Sequence, residues 1–588
     1  MTLTEDIMKP VHRVHFMRDL ILLTDSNYFD ILNLDYYIKY AGIFSCVFFL
    51  YIMKKLHIIL IYFICILLIY KTSDSQTPIF PNIRIFPSTF VSQSETDIVR
   101  HPLNPSMLFA SAITINAQSG FKSEGVYVST NYGINWFGTN TIPAELTINH
   151  GGDPGPMIDK DGIFYLAHIG SFISGMYVHY SADSGTTWSF QYTIASGDMD
   201  KGDITTDDSP SSPYFGRTYI SYVAFIPPYP VFNSYTINGG VNWSTSLQIN
   251  SPPQRCQGAD SRVDPNGNLF VCWSGTIPVS PYTEDYVGLG ISSNGGQSWY
   301  TRESIYDMNG INGNLPAKSG IRVNGLPKID IDKSVGPRNG WIYIITTEKN
   351  LAPAGSDPDI IMHRSTDGGM NWSGGIRVNQ DPLNNGKTQF FPAIRVDEIG
   401  GVAVVFYDDR NTAADSAEMY LAYSKDGGNT WNEYVLSTHR FKPQPIAGGG
   451  QGYQGDNIGM TSGNNYLYPL WMDNSTGIYQ AWLALVDLSS INVKKIGYNV
   501  PDKFELLQNY PNPFNPETNI KFNIPKSSPV KLRIYDISGK LIVELINEFL
   551  SEGKYEIKWN ATNYSSGIYF YRIETENFSN TKKMILIK

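Results

Sequence analysis

Short runs in which apolar and polar residues alternate dominate the chain from about residue 90 onward. The runs Met176–Tyr180 and Met419–Tyr423 are typical of strands, whose side chains alternate between the two faces of a sheet. Glycine, asparagine, aspartate and proline separate the runs, and these residues favour tight turns. The chain contains 52 Gly and 35 Pro, a content that excludes long helices and coiled coils. The pattern therefore predicts an all-β protein.

An eight-residue motif, Ser-x-Asp-x-Gly-x-x-Trp, follows several of these runs. Its copies, some with Asn for Asp or Thr for Ser, end at Trp136, Trp188, Trp243, Trp299, Trp372 and Trp431. Successive tryptophans are 52, 55, 56, 73 and 59 residues apart. The Asp side chain can bond nearby backbone amides, and Gly takes the positive φ of a hairpin turn. The motif predicts structural roles for Asp183, Trp188, Asp367, Trp372, Asp426 and Trp431.

A second, weaker repeat precedes each motif and consists of a polar entry, a strand, a turn and an apolar strand. One copy runs from Asp153 to His168 and another from Asp260 to Trp273. Together with the strands around the Trp motif, it gives four strands per unit, as in a β-propeller blade. The seventh unit lacks the motif and supplies three strands, so we expect Ile83–Phe86 to provide its fourth. Seven blades are favoured over six.

An apolar block precedes the repeats. Met53–Lys55 leads into an apolar run, Leu56–Tyr70, and a polar stretch follows. A basic start, an apolar run of about 7–15 residues and a small-residue cleavage site define a signal peptide, predicted here for residues 53–76. A membrane anchor that also uses residues 41–52 is the alternative, but two lysines interrupt it and a spanning helix needs about 20 residues. Residues 1–52 are then a non-native or untranslated extension.

Composition narrows the function classes. Lys and Arg number 44 against 54 Asp and Glu, a net charge of −10. This balance argues against nucleic-acid binding, because phosphate backbones require clustered cations. Intrinsic disorder is excluded because 42% of the residues are hydrophobic and can bury a large core.

The chain has four cysteines, of which Cys46 and Cys65 lie in the leader region. Cys256 and Cys272 remain, and an exported protein permits a disulfide between them. Two buried thiols are the alternative, because folding the chain about the turn at 265–268 does not place the two directly opposite. The sequence has no Cys-x-x-Cys or His-rich motif and so predicts no metal-ligating residue.

The Trp motifs resemble the Asp-boxes (BNR repeats) of the sialidase superfamily, over residues 77–500. The resemblance implies a β-propeller. It also implies the sialidase site: three arginines that grip the substrate carboxylate, an Asp acid/base, and a Tyr nucleophile paired with Glu. A planar guanidinium suits a carboxylate because it donates two parallel hydrogen bonds. The candidates for these catalytic roles are Arg84, Arg262, Arg322, Arg395, Asp153 and Tyr453.

The match is partial at the first arginine. Arg84 lies in Ile83-Arg-Ile-Phe-Pro87, which has an extra residue before the proline compared with the family's Phe-Arg-Ile-Pro. The other three arginines fall in or near predicted inner strands, and Tyr453 lies in a glycine-rich loop.

Aspartates recur where the predicted inner strands begin. The loops at these entrances shape the mouth of a propeller channel. A ring of carboxylates there could bind Ca²⁺ or a cationic group, or hold one acid of raised pKa, although no cofactor is required. The alternative is that each Asp caps its own turn. The predicted ligand-binding residues are Asp203, Asp260 and Asp456. Asp153 belongs to the same series, and Asp97 is a further member.

Residues 501–588 differ in character from the rest. A proline-spaced linker, Asn509–Thr518, precedes alternating strands that predict a small β-sandwich. The segment resembles the type A sorting domain of the type IX secretion system. The matching motifs are Tyr510–Pro516, Tyr535–Lys540, Ser566–Tyr569 and Lys582–Leu586. The resemblance implies the type IX translocon as a partner and a protein that is secreted or attached at the outer-membrane surface, with only transient membrane contact through its signal peptide.

Two functions stay open. The first is a propeller that binds extracellular glycan or protein ligands without catalysis. The second is an exo-α-sialidase or related glycoside hydrolase with an arginine-lined pocket. Aromatic residues form 13% of the chain and serve sugar stacking as well as blade packing, so composition does not separate the two. Binding is favoured because the first arginine motif is altered.

Overall fold

The computed structural model describes residues 79–588 apart from 121, 143–149, 448–451, 489–492, 498–500, 527, 551, 562–563 and 576. The predicted extension (1–52), the signal peptide (53–76), Cys46 and Cys65 therefore lie outside the described residues. Within the described ranges, no helix is long and apolar enough to cross a membrane.

Antiparallel strands form nearly all of the regular structure, and the all-β prediction is confirmed. Helix in the described part of the chain amounts to one short 3-10 turn, Pro316–Lys318. This turn joins the two strands of a small hairpin, Gly313–Leu315 and Ile321–Val323.

Seven sheets follow one another along the first part of the described chain, and we number them in chain order. Sheet 1 contains Val91–Arg100, Leu108–Asn116, Lys122–Ser129 and Phe137–Thr139; sheet 2 contains Gly152–Ile158, Phe164–Ile169, Gly175–Ser181 and Tyr192–Ser196. Sheet 3 contains Met199–Thr206, Thr218–Ala224, Val231–Thr236 and Leu247–Gln248; sheet 4 contains Arg255–Val263, Leu269–Thr276, Glu284–Ser292 and Tyr300–Asp307. Sheet 5 contains Lys328–Ile331, Ile342–Glu348, Asp359–Ser365 and Ile376–Arg377; sheet 6 contains Gln389–Val396, Val402–Asp408, Glu418–Ser424 and Asn432–Val435.

Sheet 7 joins the two ends of this region. It contains Gly459–Gly463, Tyr466–Asp473 and Gln480–Leu483, with a short fifth strand at Val486–Asp487. Ile83–Arg84 is its outer strand and pairs antiparallel with Gln480–Leu483, which is the pairing expected from the sequence.

The first strands of the sheets form a closed series of neighbours. Each first strand packs against the first strand of the next sheet, and the first strand of sheet 7 packs against that of sheet 1. These seven strands enclose a cavity of about 270 Å³. We call it the central cavity.

Apolar side chains fill the spaces between neighbouring sheets. Trp188, from the motif of sheet 2, packs against Phe109 of sheet 1, with ring centroids 5.6 Å apart. Phe109 in turn stacks on Phe164 at 4.9 Å. Trp372 and Trp431 likewise pack against residues of the preceding sheet. Each tryptophan thus buries a large apolar surface between two sheets.

Hydrogen bonds within the motif explain its spacing. Asp183 accepts hydrogen bonds from the Thr187 amide at 2.8 Å and from the Ser181 hydroxyl at 2.9 Å. The Trp188 indole donates to the Gly185 carbonyl at 3.1 Å. Asp367 and Asp426 make the corresponding bonds in sheets 5 and 6. These carboxylates bond only within their own turns among the described contacts, so they hold the hairpin together.

A β-bulge interrupts the first strand in sheets 1, 2, 3, 4 and 6. The bulge places one residue in the left-handed region, with φ of 50° at Glu95, 56° at Asp153 and 45° at Lys201. Such a conformation is costly for residues other than glycine and is often found at functional sites. The recurring bulge therefore marks one level of the central cavity.

The C-terminal region consists of two four-stranded sheets. Val493–Gly497, Glu505–Leu506, Glu517–Ile524 and Gly553–Asn560 form one sheet, and Ser528–Asp536, Leu541–Leu550, Gly567–Glu574 and Ser579–Leu586 form the other. Phe522 and Ile557 of the first sheet share one apolar core with Leu532 and Ile573 of the second.

Cys256 and Cys272 are both free and buried, so the disulfide is absent. The two residues lie on paired strands, but Cys256 faces Gly275 and Cys272 faces Asp260. This register keeps the thiols apart, as in the alternative of two buried thiols.

Candidate functional site in the central cavity

The central cavity is rich in charged side chains, and carboxylates outnumber cations. All seven first strands contribute to its wall. Its acidic residues are Glu95, Asp97, Asp153, Asp203, Asp208, Asp260, Asp330, Asp397, Glu398 and Asp456. Its basic residues are Arg100, Lys201, Arg262, Lys328, Lys333 and Arg395.

Glu95, Asp153 and Asp456 lie at the end of the cavity where the first strands begin, which we call the mouth. Asp456 accepts hydrogen bonds from Arg322 Nη2 at 3.1 Å and from Asn324 Nδ2 at 2.8 Å. The Arg322 guanidinium also lies over the ring of Tyr453, 5.6 Å from its centroid. The structure thus brings four predicted site residues together: Asp153, Arg322, Tyr453 and Asp456.

Glu95 completes the group at the mouth. Burial raises the pKa of Glu95 well above its usual range, and the charges of Asp153 and Asp456 raise it further. The Tyr453 hydroxyl opposes this shift by hydrogen bonding to the Glu95 carboxylate. Burial and the charge of Asp456 also raise the pKa of Asp153. Because Glu95 and Asp153 are hydrogen-bonded to each other, they share a proton, which we assign to Glu95.

Two further carboxyl groups near this pair also have raised pKa values. Burial and the charges of Asp153 and Asp456 raise the pKa of Asp200 to about 7. Burial and the charges of Glu95 and Asp153 raise the pKa of Glu124 well above its usual range. The mouth is therefore a place where protons are retained on carboxyl groups near neutral pH.

The carboxylates farther along the first strands tie neighbouring sheets together. Asp203 accepts hydrogen bonds from the amide and hydroxyl of Ser261 in the next sheet, at 2.8 and 2.6 Å. Asp330 accepts from the Val396 amide at 2.7 Å in the same way. We call these carboxylates, including Asp260, the cavity clamps.

Cations surround the cavity clamps. Arg262 lies 3.4 Å from Asp260 and 3.7 Å from both Asp203 and Asp330. Arg395 Nη1 lies 3.8 Å from the other oxygen of Asp330. The backbone of the next sheet and internal cations contact the carboxylate oxygens of Asp203 and Asp260, and ligand binding by these two residues stays a prediction.

The arginines do not form the expected triad. Arg84 is on the outer strand of sheet 7, where its guanidinium lies 5.8 Å from the Trp482 ring centroid, and it does not line the cavity. Arg262 and Arg395 pair with the clamp Asp330, whereas Arg322 lies with Tyr453 at the mouth. The structure thus places Arg84 apart from Arg262 and Arg395, and the catalytic roles of all three stay predictions.

The sequence reasoning missed Glu95, Lys201 and Lys328. Burial, followed by the nearby charge of Lys201, lowers the pKa of Lys328 to about 8. Glu95 and Lys201 occupy the same bulge position as Asp153, so aligning the first strands on that position would have found both. Binding of Ca²⁺ by the cavity carboxylates stays a prediction.

One family model matches the chain. Residues 508–588 match the secretion system C-terminal sorting domain. A search of curated protein sequences finds no match.

Several solved structures are similar to this chain at low sequence identity. A polysaccharide lyase, the PL25 ulvan lyase, is 11% identical with a TM-score of 0.43, covering 68% of this chain and 95% of that one. An α-L-arabinanase from Penicillium chrysogenum is 14% identical with a TM-score of 0.39, covering 61% and 98%. PorZ, a type IX secretion component of Porphyromonas gingivalis, is 12% identical with a TM-score of 0.28, covering 82% and 69%.

These likenesses support no assignment of activity. The sorting domain, by contrast, determines where the protein goes, because it is the segment that the secretion machinery handles. The chain is therefore an exported protein that carries a C-terminal secretion sorting domain and is secreted or held at the outer-membrane surface.

Proposed function

We propose that the protein is a seven-bladed β-propeller, followed by a β-sandwich, that binds an extracellular glycan at the mouth of its central cavity. Two observations support the propeller: the closed series of neighbouring first strands, and the four-stranded sheets joined in chain order. The Trp motifs, as Asp-boxes, would then fasten the outer turns of the blades. The sandwich is supported by the apolar core that the two C-terminal sheets share.

The grouping of Tyr453, Arg322 and the carboxyl groups at the mouth carries the glycan proposal. Arg322 is exposed over 47% of its side chain and Asp456 over 21%, so a ligand can reach them. Carboxyl groups and a guanidinium hydrogen-bond sugar hydroxyls, and a tyrosine ring offers an apolar face for the ring of a sugar. A small number of polar groups that converge beside an aromatic surface is typical of small-molecule binding sites.

Charge at the mouth limits the class of glycan. Glu95, Asp153, Asp200 and Asp456 are close enough to influence one another electrostatically, and Arg322 already pairs with Asp456. An anionic sugar would meet these carboxyl groups, which outnumber the two cations beside them, Lys201 and Arg322. We therefore propose that neutral or amino sugars bind, and that sialic acid does not.

Hydrolysis is a second candidate, favoured by the proton shared between Glu95 and Asp153 beside Tyr453. In that reaction Glu95 would protonate the leaving oxygen as its bond to the anomeric carbon breaks, while Tyr453 attacks that carbon and passes its phenol proton to Asp153. Water would then replace Tyr453 on the anomeric carbon, with one water proton returning to the Tyr453 oxygen and the sugar hydroxyl formed. Burial raises the pKa of Tyr453 well above its usual range, which opposes its ionisation as a nucleophile. Binding is therefore the better-supported function.

The binding experiment compares three oligosaccharides at pH 7 and low salt: chitosan hexamer, N-acetylchitohexaose and sialyllactose. We expect the purified full chain to bind at least one of the first two and to bind sialyllactose at least tenfold more weakly. Tyr453→Ala should weaken the binding about tenfold, because stacking on an aromatic ring contributes about 1 kcal/mol or more. Glu398→Gln, at the opposite end of the same cavity, is the matched control and should change little.

Two outcomes would contradict the proposal: tightest binding to sialyllactose, or equal effects of Tyr453→Ala and Glu398→Gln. A fluorogenic sialoside and reducing-end release from the two chito-oligosaccharides test the hydrolytic alternative. Turnover that Tyr453→Phe abolishes would favour hydrolysis over binding alone.

A further inference from the structure

Three histidines are buried together in sheet 2, away from the residues assigned to the mouth. His150 precedes the first strand, His168 lies in the second strand, and His179 lies in the third. Their exposed fractions are 4%, 0% and 1%. One nitrogen from each ring falls within 4.8 Å of the other two, and this group is the one in the described ranges whose spacing could hold a metal ion.

The strand register explains how two of the rings meet. His179 faces Leu166 across the second and third strands, and His168 faces Tyr177. His168 and His179 are thus diagonal neighbours on one face of the sheet, a relation that allows long side chains to touch. Their Nε2 atoms lie 3.2 Å apart.

Hydrogen bonds on the far side of each ring fix the proton positions. His168 Nδ1 lies 3.0 Å from the Ile169 carbonyl oxygen, and His179 Nδ1 lies 2.9 Å from the Ser189 carbonyl oxygen. A carbonyl can only accept, so each Nδ1 must carry the hydrogen. In the neutral rings both Nε2 atoms are then acceptors that face each other with no hydrogen between them.

A change of tautomer does not relieve this contact. Moving one hydrogen to Nε2 would leave the corresponding Nδ1 as an acceptor against a carbonyl oxygen. A cation bound between the rings would satisfy both facing lone pairs.

A histidine elsewhere in the protein provides an internal comparison. His363 occupies the same position in sheet 5, two residues before the serine of its motif, and its Nδ1 lies 2.9 Å from the Ser373 carbonyl oxygen. Its ring stacks on that of Tyr306, with centroids 3.8 Å apart. In sheet 2 the corresponding ring, His179, lies against His168 instead. A histidine at this position is therefore part of the packing in sheet 5, and only in sheet 2 do facing nitrogens appear.

We propose that His150, His168 and His179 form a binding site for a divalent transition metal, with Zn²⁺ as the expected ion. Zinc binds imidazole nitrogen at about 2.0–2.1 Å, so two nitrogens on a tetrahedral ion are about 3.3 Å apart. The 3.2 Å between the two Nε2 atoms fits that value. His150 Nδ1 is buried without a hydrogen-bond partner, which makes this ring available as the third ligand.

The surroundings of the rings match those of a metal site. The Ile169 and Ser189 carbonyls orient the two ligand rings, as hydrogen-bonded neighbours of metal-binding histidines commonly do. The nitrogen that His150 offers lies within 4.8 Å of the other two, and its ring must turn and approach until that spacing is about 3.3 Å for all three to bind one ion. Metal binding would thereby fix the segment that leads into Asp153 against the second and third strands of its sheet.

The experiment measures metal content and affinity on the purified full chain after treatment with a chelator. After reloading with Zn²⁺ and gel filtration, we expect about one Zn²⁺ per chain, and we expect bound Co²⁺ to give the visible absorption of a four-coordinate site with nitrogen ligands. His150→Asn should lower Zn²⁺ affinity at least about 100-fold, since loss of a ligand costs more than the 10–100-fold typical of losing a group that hydrogen-bonds to a ligand. His363→Asn is the matched control and should retain the wild-type affinity.

Thermal unfolding gives a readout that does not depend on a single variant. Zn²⁺ should raise the Tm of the wild type and of His363→Asn, because an ion that binds only the folded state stabilises it. Absence of Zn²⁺ and Co²⁺ uptake by the wild type would overturn the proposal, and so would uptake that His150→Asn and the double variant His150→Asn/His179→Asn leave unchanged. If a variant misfolds, the number of Zn²⁺ ions bound per wild-type chain and the wild-type cobalt spectrum decide the question.

Discussion

The mouth and the clamps of the central cavity use the same residue types on the same strands, yet they differ in what surrounds them. Glu95 and Asp153 each accept a hydrogen bond from the first strand of the next sheet, at 3.1 Å, as the clamps do. Beyond that bond, the two mouth residues face other carboxyl groups, whereas the clamps Asp260 and Asp330 face Arg262.

This difference separates a structural carboxylate from one available for ligand. A carboxylate among cations is fully paired, and removing it leaves charges uncompensated. A carboxyl group among acids keeps its proton and retains hydrogen-bonding capacity for a ligand. Position along the first strand decides which environment a side chain enters: Glu95 and Asp153 lie at the bulge, whereas the clamps Asp203 and Asp260 lie two residues beyond it.

The largest expected effect comes from removing a clamp. Asp330→Ala should lower the free energy of unfolding by about 3 kcal/mol, because it leaves Arg262 and Arg395 without their shared partner and the Val396 amide without its acceptor. Urea denaturation of the full chain measures this. Glu398→Ala, whose side chain is 41% exposed, is the control and should cost far less. Equal losses of unfolding free energy in the two variants would contradict the distinction between the clamps and the other acidic residues of the cavity.

Replacing a mouth acid should affect ligand rather than folding. Glu95→Gln keeps the size of the protonated side chain, so the free energy of unfolding at pH 7 should change by less than about 1 kcal/mol. Glycan affinity should fall about tenfold, because the shared proton that positions Asp153 is removed. Measuring both quantities on one preparation tests the comparison. A folding loss as large as that of Asp330→Ala would place Glu95 among the clamps.

The pH dependence of stability should differ between the wild type and Glu95→Gln. The folded-state pKa of Glu95 lies well above the unfolded value of about 4.3, so the folded state holds a proton that the unfolded state releases. Its stabilising contribution is complete below about pH 4 and declines as the pH rises through the folded pKa. Unfolding measured at several pH values from 4 to 8 should therefore show wild-type stability falling relative to Glu95→Gln. Parallel curves would contradict the protonated state of Glu95.

The smallest effect is expected at Arg84. Its guanidinium contacts Trp482 on an outer strand, so Arg84→Ala should change the free energy of unfolding by less than about 1 kcal/mol. Glycan binding should not change, because Arg84 does not line the cavity. A loss of glycan binding comparable to that of Glu95→Gln would show that Arg84 belongs to the binding site.

Much of the architecture could be predicted from local patterns. Hairpin turns are built from neighbouring residues, so the bonds of Asp183 follow from its own eight-residue motif. The pairing of Ile83–Arg84 with sheet 7 follows from counting strands. The cysteine pair stayed ambiguous, because the register that places Cys272 opposite Asp260 depends on a bulge.

The sequence by itself determined the strand content, the repeated turns and the sorting domain, because each depends on short-range pattern or on a local motif. Only the tertiary structure decided which acids meet acids and which meet cations, since these contacts join residues such as Asp330 and Val396 that are far apart in the chain. The meeting of His150, His168 and His179 is of the same kind. Electrostatic energies depend on distance and burial, and the closure of the seven sheets sets both.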